Sequence, residues 1–94
     1  MNFYKPVATK HVGIFVRSMS AKAFGESVKM RLEDKERANA IVVADATVDA
    51  NGNRMFSSPD EATDALPVQT FLEILGQIMV ESGFASKDDG EKKD

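Results

Sequence analysis

Cysteine is absent from this chain of 94 residues, and so is tryptophan. Without cysteine there is no disulfide, no thiolate zinc site and no thiol nucleophile. Histidine occurs once, as His11. No serine or carboxylate stands at a spacing that would orient it for catalysis, so a surface position is expected. There is no Gly-x-Gly-x-x-Gly and no Gly-Lys-Ser/Thr, hence no phosphate-binding loop. No apolar run approaches the length of a membrane span, and Met1 to Pro6 lacks the apolar stretch of a signal peptide. A soluble, intracellular protein is expected. A basic excess is also missing: twelve Lys and Arg against fifteen Asp and Glu give a formal net charge of −3. Bases outnumber acids between Arg17 and Arg37, but Glu26, Glu33, Asp34 and Glu36 interrupt them. That interleaving describes a solvated helix face better than a nucleic-acid footprint.

The length allows one domain. Residues 85–94 contain no large apolar side chain, a composition that does not offset its ordering entropy, so a disordered charged tail is expected there. Residues 1–84 are read as a single domain. A body this small lies near the size where one core is only marginally stable, so self-association or a partner is a natural supplement.

The most apolar stretch runs from Ile41 to Val48 and ends in a polar turn, Asp49 to Asn53. Ile, Val and Thr favour a strand, and Asn51-Gly52 is a hairpin signal. Ala38, Ala40, Ala44 and Ala46 favour a helix, with Ile41, Ala44, Asp45 and Val48 sharing one face. Periodicity alone leaves both readings open. As a calcium loop the turn fails: with Gly52 sixth, Thr47 stands first where Asp is needed and Ser58 twelfth where Glu is needed. A tight polar turn is the reading.

The remaining elements are plainer. Val12 to Arg17 alternates as a strand, with Val12, Ile14 and Val16 on one face. Phe3 to Ala8 is a possible pairing strand, Pro6 keeping it at an edge. Ser20 offers an N-cap for a helix from Ala21 to Leu32, whose apolar face is Phe24, Val28 and Leu32. Ser58-Pro59-Asp60-Glu61 is a capping box with proline at the first helical position. Pro67 ends that short helix. Val68, Phe71, Leu72, Leu75, Ile78 and Met79 then line one face of a longer helix closed by Gly83, with Phe84 folding back onto its last turn. The fold class expected is mainly α within α+β: three to four helices and a short N-terminal β-strand or hairpin. No catalytic, cofactor-binding or metal-ligating set emerges, and an enzyme is not expected.

In this order the features resemble the tail assembly chaperones of long-tailed bacteriophages. Three segments carry the resemblance, which spans about Lys10 to Gly83. Val12 to Phe24 is similar to that family's short strand ending in arginine, a Ser/Thr turn and a helix. Ile41 to Phe56 is similar to its apolar helix followed by an Asp-x-Asp/Asn-Gly-x-x-Leu-Phe turn, with Arg54 where proline is frequent and Met55 where leucine is frequent. Ser58 to Gly83 is similar to its Ser-Pro-Asp-Glu start, short helix and long amphipathic helix. The resemblance turns the open segment toward a buried helix over Lys35 to Val48, with Met55 and Phe56 pinning the chain to the core. It implies a non-enzymatic chaperone in the host bacterial cytoplasm, absent from the mature virion, that binds the tape-measure protein and the tail-tube protein. A homo-oligomer is a further expectation, and nucleic acid and membrane are not expected partners. A longer form made by ribosomal frameshifting is implied, with the tail as connector. Candidate contact residues are Arg54, Met55 and Phe56 at the turn and Phe71, Leu75, Ile78 and Met79 on the last helix. The competing expectation is a small virion component, a tail-completion or connector protein.

Overall fold

A computed structural model describes residues 4–84. The expected strand at Phe3 and the charged tail at residues 85–94 fall wholly or partly outside them. Within that range four helices surround or flank a small antiparallel sheet, an α+β domain as the patterning predicts.

The centre is α2, Lys35–Ala46, which packs against α1 (Ala21–Arg31), α3 (Pro59–Ala65) and α4 (Val68–Glu81). Every residue from Val42 to Val48 is buried. The first turn of α2, Lys35 to Arg37, is exposed, whereas its second half, apolar nearly all round, has to be enclosed by neighbours, and its alanines let those neighbours approach closely. Asp34 caps its start by accepting from the Arg37 N–H at 3.0 Å.

The segment does not remain helical to Val48 as expected. The helix stops at Ala46, and Thr47–Val48 form β3. The strand and helix readings each hold for part of the run. The cause is tertiary: the Arg17 N–H captures the Ala46 carbonyl at 3.0 Å, and Thr47 and Val48 pair with Val16 and Phe15. β-branched side chains suit that pairing. β2, Phe15–Val16, is central in the sheet, with β1, Val7–Ala8, on its other edge. The N-terminal hairpin is therefore present but shorter than the alternation suggested. Val12 is fully exposed in the connecting turn, not on a strand face.

Local signals set the helix ends. Ser20 accepts from the Ala23 N–H at 3.1 Å to start α1. Ser58 accepts from the Glu61 N–H at 3.1 Å to start α3, while the Glu61 carboxylate reaches back to Ser57. Leu66 turns extended before Pro67, as a residue preceding proline prefers. At the end of α4 the Gly83 N–H bonds the Val80 carbonyl and the Phe84 N–H bonds the Met79 carbonyl. This is a Schellman closure, and it needs the positive φ of Gly83. Phe84 then leaves its own helix: its ring stacks on Phe24 of α1, centroids 5.2 Å apart.

One expectation is reversed. The Phe24, Val28 and Leu32 face of α1 does not enter the core; these residues are 43, 48 and 94% exposed. Ala23 and Ser27 are buried instead. Small residues let α1 lie close to α2, and the Ser27 hydroxyl is satisfied within its own helix by donating to the Phe24 carbonyl. The core proper is Val16, Met19, Val42, Val43, Ala44, Ala46, Phe56, Ala62, Ile74 and Ile78.

Candidate protein-interaction surfaces

The turn after β3 is built on Asp49. Its Oδ1 accepts from the Asn51 and Asn53 N–H groups at 2.8 and 3.0 Å. The Asn53 N–H is the main reason its carboxyl lies below the ordinary value. Gly52 takes a positive φ and donates to the Asp49 carbonyl at 3.0 Å. The Asp49 Oδ1 thus supports its own loop. Val48 and Arg54 bridge across the turn, so the Asn-Gly hairpin signal is honoured on a minimal scale.

Beside the turn lies a buried charge. Asp45 is 8% exposed, near the C-terminal end of α2, where the helix dipole disfavours an acid. Its carboxylate accepts from the Ser20 N–H at 2.9 Å, the Ser20 hydroxyl at 3.2 Å and Arg54 Nη2 at 2.7 Å. Arg17 Nη1 stands 3.5 Å away. Arg17, itself buried, donates to the Asp45 and Ser18 carbonyls at 2.7 and 2.8 Å. Its guanidinium lies 4.6 Å from the centroid of the Tyr4 ring. One carboxylate therefore joins the α1 cap, the end of α2 and the turn, and it fixes Arg54 in place. A cleft of about 230 Å³ opens beside it, lined by Asp45, Arg54, Phe56 and Ser58 among others. In sequence Asp45 was placed only on a helix face. The signal that could have singled it out is an acid inside the most apolar run of the chain.

His11 is half-buried and structural in its contacts. Its Nε2 meets Glu73 Oε1 at 2.8 Å, and Lys10 Nζ meets Glu73 Oε2 at 2.9 Å. These contacts pin the β1–β2 turn to α4. The Lys10 contact, followed by Gln69 and His11, lowers the Glu73 carboxyl to about 2.

The candidate contact residues divide. Phe56 and Ile78 are buried in the core, so neither offers a surface. Phe71, Leu75 and Met79 are partly buried against that core. Arg54 and Met55 are exposed, but Arg54 is committed to Asp45. Ile74, fully buried, was missing from the expected apolar face. Val68 and Leu72 were placed on that face and are exposed. Together with Phe71 and Leu66 they line an open groove of about 510 Å³ between α2, α3 and α4, in which Glu36 is the one charged residue among the described residues that line it.

Among the described residues no helix is long and apolar enough to cross a membrane, and no group of three or more His, Cys, Asp or Glu side chains is gathered that would hold a metal ion. The fold defines a small α+β domain whose distinctive surfaces are apolar helix faces. No protein-family model, curated protein or solved structure matches the chain.

Proposed function

We propose that this protein is a non-enzymatic assembly chaperone for the tail of a long-tailed bacteriophage. It acts in the host cytoplasm on the tape-measure protein and on the tail-tube protein. The observation that carries the reading is the open apolar groove of Leu66, Val68, Phe71 and Leu72. Such a groove suits an amphipathic helix laid along it, the helix-in-groove mode of recognition. A tape-measure protein is long, helical and apolar along its seams, and needs cover until the tube encloses it. The three-part sequence resemblance over Lys10 to Gly83 supplies the identity of the client.

The test is co-expression with the tape-measure protein of the same phage or prophage. Soluble client should increase with the wild-type chain and fall back with Leu72→Asp, a substitution at a half-exposed position whose retained fold circular dichroism checks. If the wild-type chain leaves the client insoluble, the reading fails. Recovery of the chain in purified particles would instead support the virion-component reading.

A further inference from the structure

Asparagine is a chemically labile residue, and most so when glycine follows it. The peptide nitrogen of the following residue attacks the asparagine Cγ, and glycine has no Cβ to shield that nitrogen. Asn51-Gly52, at the tip of the turn after β3, is such a pair. Asn51 is exposed, and its side-chain amide forms no hydrogen bond with a described residue. Asn39 and Asn53 are followed by Ala40 and Arg54, which do carry side chains.

The same turn holds the attacking nitrogen back. The Gly52 N–H donates to the Asp49 carbonyl at 3.0 Å. On either side of Gly52, the N–H groups of Asn51 and Asn53 donate to Asp49 Oδ1 at 2.8 and 3.0 Å. Gly52 has to give up its proton to attack, so its own hydrogen bond is lost in the reaction. The Asp49 carboxylate, bonded to both neighbours, opposes the negative charge that develops on the nitrogen between them. One residue thus restrains the reaction through its backbone and through its side chain.

We propose that Asn51 is a site of spontaneous deamidation, and that Asp49 keeps the reaction slow while the turn is closed. The Gly52 nitrogen forms a bond to Asn51 Cγ, the Cγ–Nδ2 bond breaks, and ammonia leaves with the proton from the Gly52 nitrogen. Water then opens the cyclic imide at one of its two carbonyls, leaving aspartate or isoaspartate. Isoaspartate adds one carbon to the backbone between the Asn51 and Asn53 N–H groups. Asp49 Oδ1 then cannot keep both bonds in their present geometry, so the modification loosens the turn that restrained it. Asn51 does not line the groove at α4, and the site stands whether or not the tail-chaperone reading does.

The experiment incubates the full chain in mildly alkaline buffer, folded and in guanidinium chloride, and follows aspartate and isoaspartate at each asparagine by peptide mass spectrometry. The unfolded chain is expected to convert Asn51 about tenfold or more faster than the folded one, since hydrogen bonds to a charged acceptor shift an equilibrium by about that factor. Asp49→Ala, tested folded, should move the rate toward that of the unfolded chain. Asp49→Ser, whose hydroxyl can still accept a hydrogen bond but carries no charge, should fall between Asp49→Ala and the wild type. Circular dichroism of each variant checks that the fold is retained, and the comparison of folded with unfolded wild type needs no variant. Three results would overturn the proposal: no conversion at Asn51 in the unfolded chain, conversion at Asn53 as fast as at Asn51, or equal rates in the folded and unfolded wild type. A folded Asp49→Ala chain that converts no faster than the wild type would remove Asp49 as the restraint.

Discussion

Asp45→Asn is the substitution that most directly probes how this fold is held. The side chain keeps its shape but loses its charge, and gains an N–H₂ group where the native carboxylate offers only acceptors. The Ser20 N–H and hydroxyl, at 2.9 and 3.2 Å, and Arg54 Nη2, at 2.7 Å, then compete for one carbonyl oxygen. Arg17, 10% exposed, loses its nearby counter-charge but keeps its two backbone carbonyls. Hydrogen bonds to a buried charged group contribute about 1.5–3 kcal/mol, and a buried group left unpaired costs a similar amount. The Arg54 contact is discounted, because that side chain is 58% exposed and such pairs contribute only about 0.5–1 kcal/mol. The expected loss is about 2–4 kcal/mol in urea unfolding. For a domain this size that is a fall in Tm on the order of 10–25 °C. Arg54→Ala alone should cost only about 0.5–1 kcal/mol. The reasoning is refuted if Asp45→Asn shifts the midpoint by no more than Arg54→Ala does, since Asp45 would then be merely the partner of a surface arginine.

Three further outcomes are expected. Thr47 is fully buried and its hydroxyl has no partner among the described residues, so Thr47→Val should stabilise the fold by about 1 kcal/mol; a lower urea midpoint would contradict this. Gly83 has φ of +86°, so Gly83→Ala should destabilise by about 1 kcal/mol through strain in the α4 closure, read from the same unfolding curves. The Glu73 carboxyl lies at about 2, below its ordinary 4.5. A depressed acid contributes stability that is fully present above the unfolded value and is lost as pH falls through the folded one. Stability should therefore decline between about pH 4.5 and 2, and Glu73→Gln should flatten that part of the profile; an unchanged slope in the variant would refute the Lys10, His11 and Gln69 tether.

Much of the local structure was legible because it rests on short-range chemistry. Ser20, Ser58-Pro59 and Gly83 each act within one helical turn, and all three end or begin a helix where their side chains and backbone preferences dictate. The contact residues were less legible. Phe56 and Ile78 look like Met55 and Met79 in a pattern, yet two are core, one is surface and one is half-covered. An amphipathic pattern shows which residues share a face, but not which neighbouring element covers it.

By itself, the sequence determined the helix boundaries at the caps, the break at Pro67, the tight Asp49–Asn53 turn and the absence of thiol and phosphate-loop chemistry, since each depends only on residues close along the chain. The tertiary structure alone decided that α2 yields to a strand after Ala46, that Asp45 becomes a buried junction of Ser20, Arg17 and Arg54, and that α1 turns its small residues inward. Those outcomes depend on which distant groups meet. Arg17 takes the Ala46 carbonyl across the fold, and the close approach of α1 to α2 admits Ala23 and Ser27 while leaving Phe24, Val28 and Leu32 facing solvent.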